Sequence, residues 1–196
     1  MKKCSPRRLV RSDFCRPTLD VARSLLGKII VCTAGRHYVS AMITELEAYK
    51  GPRDRAAHSF GGRRTRRVEP LYGEGGTVYV YLIYGMHWML NFSTAGAEIP
   101  EGVLIRGILA DVDGECRYLA GPGKVTRYLG IDKTLDGEDA ASSKQIRIED
   151  HGVRLPPGII RRGPRIGIEF AGPYWAARPW RFWVDAEAAT EAMSKR

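Results

Sequence analysis

The chain has 196 residues, with 31 Lys and Arg against 22 Asp and Glu, a formal charge of +9. That length suits one domain able to withdraw roughly 70% of the unfolded surface from water, and 44% hydrophobic content excludes an intrinsically disordered chain. The longest apolar stretch, 78–92, contains His87 and Asn91 and falls short of the ~20 apolar residues of a membrane helix, so no membrane partner is expected.

The basic start, Lys2-Lys3-Cys4-Ser5-Pro6-Arg7-Arg8, has no apolar run behind it, and a cytoplasmic, nucleoid-associated protein without a secretory signal is expected. Residues 1–15 read as a basic N-terminal arm, 16–184 as the folded domain and 185–196 as a polar tail that frays. The pattern predicts a helix over 19–26, capped by Thr18 and stopped by Gly27. Strands at 28–34 and 37–49 form a hairpin about Gly35-Arg36. Residues 50–76, with six Gly and two Pro, form a long loop of the kind that carries function. Strands follow at 77–83 and 86–93 around a Tyr84-Gly85 turn, then at 102–110, with a short helix at 121–129 and late strands at 165–170 and 180–184. Strands joined by short turns, with little βαβ alternation, predict a single α+β domain: a curved, mostly antiparallel, barrel-like sheet flanked by short helices.

The positive charge is concentrated. Six basic residues fall in 1–20, seven in 50–70 (Arg63, Arg64, Arg66 and Arg67 among them) and five in 161–181. Arg forks pair bidentately with phosphate oxygens, so a polyanion, nucleic acid before membrane, is the expected partner. Cys4, Cys15, Cys32 and Cys116 form no C-x-x-C pair, and His58 has no second ligand at metal spacing; reduced cysteines and no metal site are expected.

Several residues could carry chemistry. On a strand, Glu45, Glu47 and Tyr49 share one face, where two carboxylates beside an aromatic are either a general base next to a stacking platform or a solvated edge. Tyr84, at a hairpin tip, can act as a wedge between base pairs. Asn91 ends an apolar strand and needs partners if buried. Arg106 interrupts another apolar strand and needs an acidic partner, for which Glu47 is the economical choice. Gly121-Pro122-Gly123-Lys124 before a helix resembles an anion cradle but lacks the P-loop spacing.

Together, Glu47-Ala48-Tyr49-x-Gly51-Pro52-x-Asp54-x-Ala56-Ala57-His58-Ser59, the run Tyr79 to Met86 with Asn91, Leu104-Ile105-Arg106 and Gly121-Pro122-Gly123-Lys124 resemble the alkyladenine (3-methyladenine, or N-methylpurine) DNA glycosylase family. The resemblance covers about 16–184. It implies a monomeric, monofunctional enzyme of base excision repair that needs no cofactor. Such an enzyme flips 3-methyladenine, 7-methylguanine or hypoxanthine out of double-stranded DNA and hydrolyses the N-glycosidic bond. It implies that Glu47 activates water with Arg106 beside it, and that Tyr49, His58 and Tyr81 hold the base. Asn91 would screen out the guanine 2-amino group, and Ile166 would supply a backbone contact. Tyr84, with Met86, would enter the minor groove, while Arg63, Arg64, Arg66 and Lys124 would meet the DNA backbone. Two segments depart from the family pattern. Arg64-Thr65-Arg66-Arg67-Val68 stands where the family has Arg-Thr-Pro-Arg-Asn, and His87-Trp88-Met89-Leu90 precedes Asn91. The readings from other classes are a non-catalytic binder of distorted DNA and a basic RNA-binding domain.

Overall fold

The computed structural model describes residues 5–34 and 37–194; the expected Gly35-Arg36 turn lies outside them. The strands are β1 (Arg7–Arg8), β2 (Ile29–Ala34), β3 (His37–Tyr49), β4 (Val78–Ile83), β5 (His87–Thr94), β6 (Glu101–Val112), β7 (Glu115–Ala120), β8 (Ile146–Asp150), β9 (Arg161–Gly163) and β10 (Arg181–Trp183). The helices are α1 (Arg11–Phe14), α2 (Thr18–Leu25), α3 (Pro122–Leu129), α4 (Pro173–Ala176) and α5 (Ala186–Ser194). All ten strands belong to one curled antiparallel sheet, with the path β1-β8-β2-β3-β6-β5-β4 and with β7, β9 and β10 branching from it. The fold is the expected α+β domain.

The long β3 is its axis. Its first half pairs with β2, its second half with β10, and β6 runs along the other side. The β3–β6 register shifts on both sides of Glu45, an irregularity that interrupts the ladder there. Side-chain alternation then divides labour. Leu46, Ala48, Val78, Val80, Leu90, Phe92, Val103 and Ile105 enter the main core, where Val21, Ala22 and Leu25 of α2 and Val125 and Leu129 of α3 cover them. The alternate residues Glu45, Glu47, Tyr49, Tyr79, Tyr81, Met89, Asn91, Leu104 and Arg106 face the other way.

Four local expectations change. Thr18 is the first residue of α2, not its cap; its buried hydroxyl meets Thr94 and the Glu101 carboxylate, while Pro17 precedes the helix. Residues 165–170 are not a strand. Gly167 takes φ +74°, a single 3-10 turn follows at Glu169–Ala171, and the Arg165 side chain is drawn inward. The strand expected at 180–184 is confined to Arg181–Trp183. Within the expected polar tail, Ala186–Ser194 form α5, which buries Ala189 against Ile29, Val31, Met42, Leu109 and Val184. At the other end, β1 pairs with β8, and Leu9 and Phe14 are core residues. Among the described residues, no helix is long and apolar enough to cross a membrane.

Candidate active site

The sheet face away from α2 and α3 holds a pocket of about 360 Å³. Its walls include Tyr49, His58, Tyr79, Tyr81, Asn91 and Arg106, with Ile166 and Phe170 from the loop opposite and Tyr84 at the mouth. Size and aromatic lining suit a single flat heterocycle.

Glu47 lies beneath this floor, fully buried. Its Oε1 accepts the Ile166 backbone N–H at 2.8 Å, and its Oε2 accepts the Tyr49 hydroxyl at 2.8 Å. Arg106 Nε is 3.4 Å from Glu47 Oε1, the pairing expected for an Arg inside an apolar strand. Burial pushes the Glu47 carboxyl above its ordinary value, against the pull of Arg106, Ile166 N–H and Tyr49. Glu47 is not the lone acid of the floor. Glu45 is also buried, with Arg106 Nε at 3.4 Å and Arg181 Nη1 at 3.0 Å from its Oε1. Gly107 makes room for it: a Cβ there would sit 2.8 Å from the Glu45 Cβ.

The side walls are built from phenols and one imidazole. The His58 and Tyr81 rings meet edge to face at 4.6 Å, and Tyr79 and Tyr81 lie 5.1 Å apart. His58 Nδ1 is 2.8 Å from the Tyr79 hydroxyl. Packing in the pocket wall, with Arg67 and Arg63 nearby, pushes His58 down to about 4, so the ring is neutral at pH 7. Burial pushes Tyr81 up to about 12 and raises Tyr49 and Tyr79 as well, so all three phenols remain protonated donors. Asn91 donates Nδ2 to the carbonyls of Tyr79 and Met89, which leaves Oδ1 as the atom for a ligand.

A clamp that the sequence did not reveal holds the back of the pocket. Arg165 reaches Asp54 with both terminal guanidinium nitrogens, at 2.5 and 2.9 Å, and donates to the Ala48 carbonyl at 3.0 Å. The Tyr49 and Trp180 rings lie against the guanidinium, at 4.6 and 5.0 Å. Asp54 also accepts the backbone N–H of Lys50 and of Ala56. One buried ion pair thus ties together the end of β3, the turn leading to His58 and the loop that presents Ile166. Arg165 belongs to a basic cluster that sequence reasoning assigned to phosphate; being buried, it is not available for that.

At the mouth, the β4–β5 hairpin lifts Tyr84 clear of the protein. The residue is 86% exposed and takes φ +51°, a left-handed conformation costly for a large side chain. Met86 beside it is 69% exposed, and Phe170 across the pocket 75%. Of the basic residues expected at the DNA backbone, Arg63, Arg64, Arg66 and Lys124 are all exposed. Arg64 alone of these is held by two acids, Glu69 and Glu98, and it lies 4.4 Å over the Tyr72 ring. Arg67, absent from the expected set, lies 5.3 Å over Tyr81 on the pocket's outer side. Gly123 of the expected anion cradle packs closely on His87, where a Cβ would sit 3.0 Å from the ring Nδ1. Among the described residues, no group of three or more His, Cys, Asp or Glu could hold a metal ion.

Comparison with known proteins gives the family. The sequence pattern of the methylpurine-DNA glycosylase family matches residues 12–188. A protein of Desulfitobacterium hafniense named "Putative 3-methyladenine DNA glycosylase" is 39% identical over 198 residues, covering 91% of this chain and 96% of its own. A protein of the same name from Clostridium perfringens strain SM101 is also 39% identical, with 90% and 95% covered. One from Bacillus licheniformis is 40% identical over 184 residues, with 87% and 90% covered. The chain belongs to the methylpurine-DNA glycosylase family and is a DNA glycosylase, a hydrolase.

Proposed function

We propose that the protein takes alkylated or deaminated purines out of duplex DNA, among them 3-methyladenine, 7-methylguanine and hypoxanthine. It hydrolyses their N-glycosidic bond and leaves an abasic site. The observation that carries this reading is the buried Glu47 carboxylate, held by Tyr49, Arg106 and the Ile166 N–H, three groups that all line an aromatic pocket.

A base inside a duplex is out of reach, so the target nucleotide must leave the stack, at a cost of a few kcal/mol that is least for a damaged base. Tyr84, already clear of the protein surface, fills the vacated space, with Met86 beside it. Stacking on Tyr49, His58 and Tyr81, at ~1–3 kcal/mol per base, offsets much of the unstacking. Asn91 stands at the purine edge with its Nδ2 held by the Tyr79 and Met89 carbonyls, and it screens out the guanine 2-amino group by contact, since an acceptor oxygen alone would bind that donor. Cleavage passes through an oxocarbenium-like sugar. Glu47 stabilises that cation and takes a proton from the attacking water, and Arg106 and the Ile166 N–H orient the carboxylate. N3- or N7-alkylation makes the purine a cation that leaves with little help, so one carboxylate suffices. The protein acts as a monomer on double-stranded DNA in the cytoplasm, and Arg63, Arg66 and Lys124 meet the phosphates, with Arg64 at their edge.

The test is single-turnover incubation with a duplex carrying hypoxanthine or 7-methylguanine, followed by alkaline cleavage of abasic sites. Product is expected from at least one lesion. Glu47→Gln is expected to lose it while still binding the lesion. A protein that binds both duplexes and cuts neither would be a non-catalytic binder of distorted DNA.

A further inference from the structure

Two buried carboxylates and two guanidiniums make up the floor, and their sharing is uneven. Arg181 Nη1 binds Glu45 Oε1 at 3.0 Å. Arg106 Nε sits 3.4 Å from Glu45 Oε1 and 3.4 Å from Glu47 Oε1, and it is buried with no hydrogen-bond partner. A buried guanidinium N–H left without a partner is expensive, and Arg106 would gain by closing on either acid. What keeps it midway is the second acid, and the fold takes trouble to place that acid. The β3–β6 pairing is irregular on both sides of Glu45, and Gly107 on β6 vacates the space it needs.

We propose that Glu45 is a positioning residue for the hydrolytic reaction: by drawing Arg106 away from a closed ion pair with Glu47, it keeps Glu47 basic enough to accept the proton of water. A carboxylate locked to a guanidinium is a poor base, because the opposite charge favours its ionised form. The groups facing Glu47 are Arg106 from β6, Glu45 and Tyr49 from β3, Tyr81 from β4 and the Ile166 N–H from the loop opposite. Those facing Glu45 are Arg106, Glu47, Arg181 of β10 and Tyr118 of β7. Removing the Glu45 charge therefore acts on Glu47 in one direction by two routes: a like charge disappears, and Arg106 is released toward it. Removing Arg181 acts in the opposite direction, because Glu45 then competes harder for Arg106.

This inference rests on Glu47 being the group that must be ionised for excision. The experiment is the pH dependence of single-turnover excision by wild type, Glu45→Gln, Arg181→Met and Glu47→Gln, with lesion affinity measured in parallel. Glu45→Gln is expected to move the acid limb of the profile to lower pH by about one unit, to lower the plateau rate about tenfold, and to leave lesion affinity within about twofold. Arg181→Met is expected to move the limb to higher pH. An acid limb for Glu45→Gln that coincides with wild type would overturn the proposal, even if the rate fell, since a merely structural role lowers the rate without moving the limb. If Arg181→Met does not fold, Glu45→Gln, which keeps size and hydrogen-bonding shape, decides alone. Full activity of Glu47→Gln would instead overturn the reading of Glu47 on which the inference rests.

Discussion

Arg165 and Asp54 meet 111 residues apart in sequence with neither side chain exposed to solvent, and the guanidinium is held between the Tyr49 and Trp180 rings. Removing one partner of such a pair strands a charge in the interior, at a cost of about 3–5 kcal/mol. Asp54→Asn and Arg165→Leu are each expected to lower the urea midpoint accordingly. The double variant Asp54→Leu/Arg165→Met should recover much of the loss, because no charge is left unpaired. Chemical denaturation of the three proteins checks this. A double variant no more stable than the worse single one would show that the pair is net stabilising rather than merely costly to break.

Tyr84 makes the opposite case. Its φ of +51° suits Gly or Asn better than Tyr, and its ring is solvated, so nothing in the folded state repays the strain. Tyr84→Gly is expected to leave thermal stability unchanged or slightly raised. It is also expected to weaken binding to a lesion-bearing duplex by tenfold or more. Calorimetry and a fluorescence-anisotropy titration measure the two effects, and equal affinity for the two proteins would refute the wedge.

How much of this could be read beforehand follows from the range of the forces involved. Strands β2 to β6 and helices α2 and α3 are legible because alternation and helical spacing are local signals, and the Arg106–Glu47 pair because an Arg in an apolar strand demands an acid. The Arg165–Asp54 clamp is not local, so Arg165 looked like one more surface cation among its neighbours in 161–181. The segment 165–170 carries β-compatible residues, yet the buried ion pair and the left-handed Gly167 override that preference. Glu45 could be placed on the right face by period two. Its competition with Glu47 could not, since it depends on an irregular pairing and on Gly107 of a neighbouring strand. The C-terminal helix was missed because one buried residue, Ala189, anchors a segment whose composition is otherwise that of a polar tail.

His58 should titrate far below the usual range for histidine. Its folded value is about 4, against about 6.5 for the free side chain, because the charged form is penalised by packing and by Arg67 and Arg63. The unfolded chain therefore takes up a proton between about pH 6.5 and 4 that the folded protein refuses, and stability falls with pH across that window. His58→Gln is expected to lose this component of the acid sensitivity. An NMR titration of the imidazole with a midpoint near 6.5 would contradict the packing argument.

Glu47 shifts the other way. Its raised folded value means that the folded protein holds the proton more tightly than the unfolded chain does. Its contribution to stability is fully present below the unfolded value of about 4.5 and is lost as pH rises through the folded one. At neutral pH the ionised carboxylate thus weighs against folding, a cost borne for function. Glu47→Gln should have the higher melting temperature at pH 7–8, with the advantage shrinking as pH falls toward 4. A variant less stable than wild type at pH 8 would mean that the bonds from Tyr49, Ile166 and Arg106 outweigh the burial of charge.

Charge at the surface sets the last expectation. Arg63 and Arg66 are exposed, whereas the Arg64 guanidinium is neutralised by Glu69 and Glu98. Each phosphate neutralised by a protein cation releases condensed counterions, so the logarithm of affinity falls with the logarithm of salt with a slope of about −0.9 per contact. A cation already satisfied by two carboxylates releases little, because it must first give them up. Arg63→Gln should therefore flatten the salt slope by about one, equally for lesion-bearing and undamaged duplexes. Arg64→Gln should leave the slope nearly unchanged and instead loosen the 3-10 turn at Glu69–Tyr72, against which Arg64 packs. Titrations from about 50 to 200 mM salt compare the two directly. A larger flattening for Arg64 than for Arg63 would mean that DNA strips Arg64 from its acids and that it, not Arg63, meets the backbone.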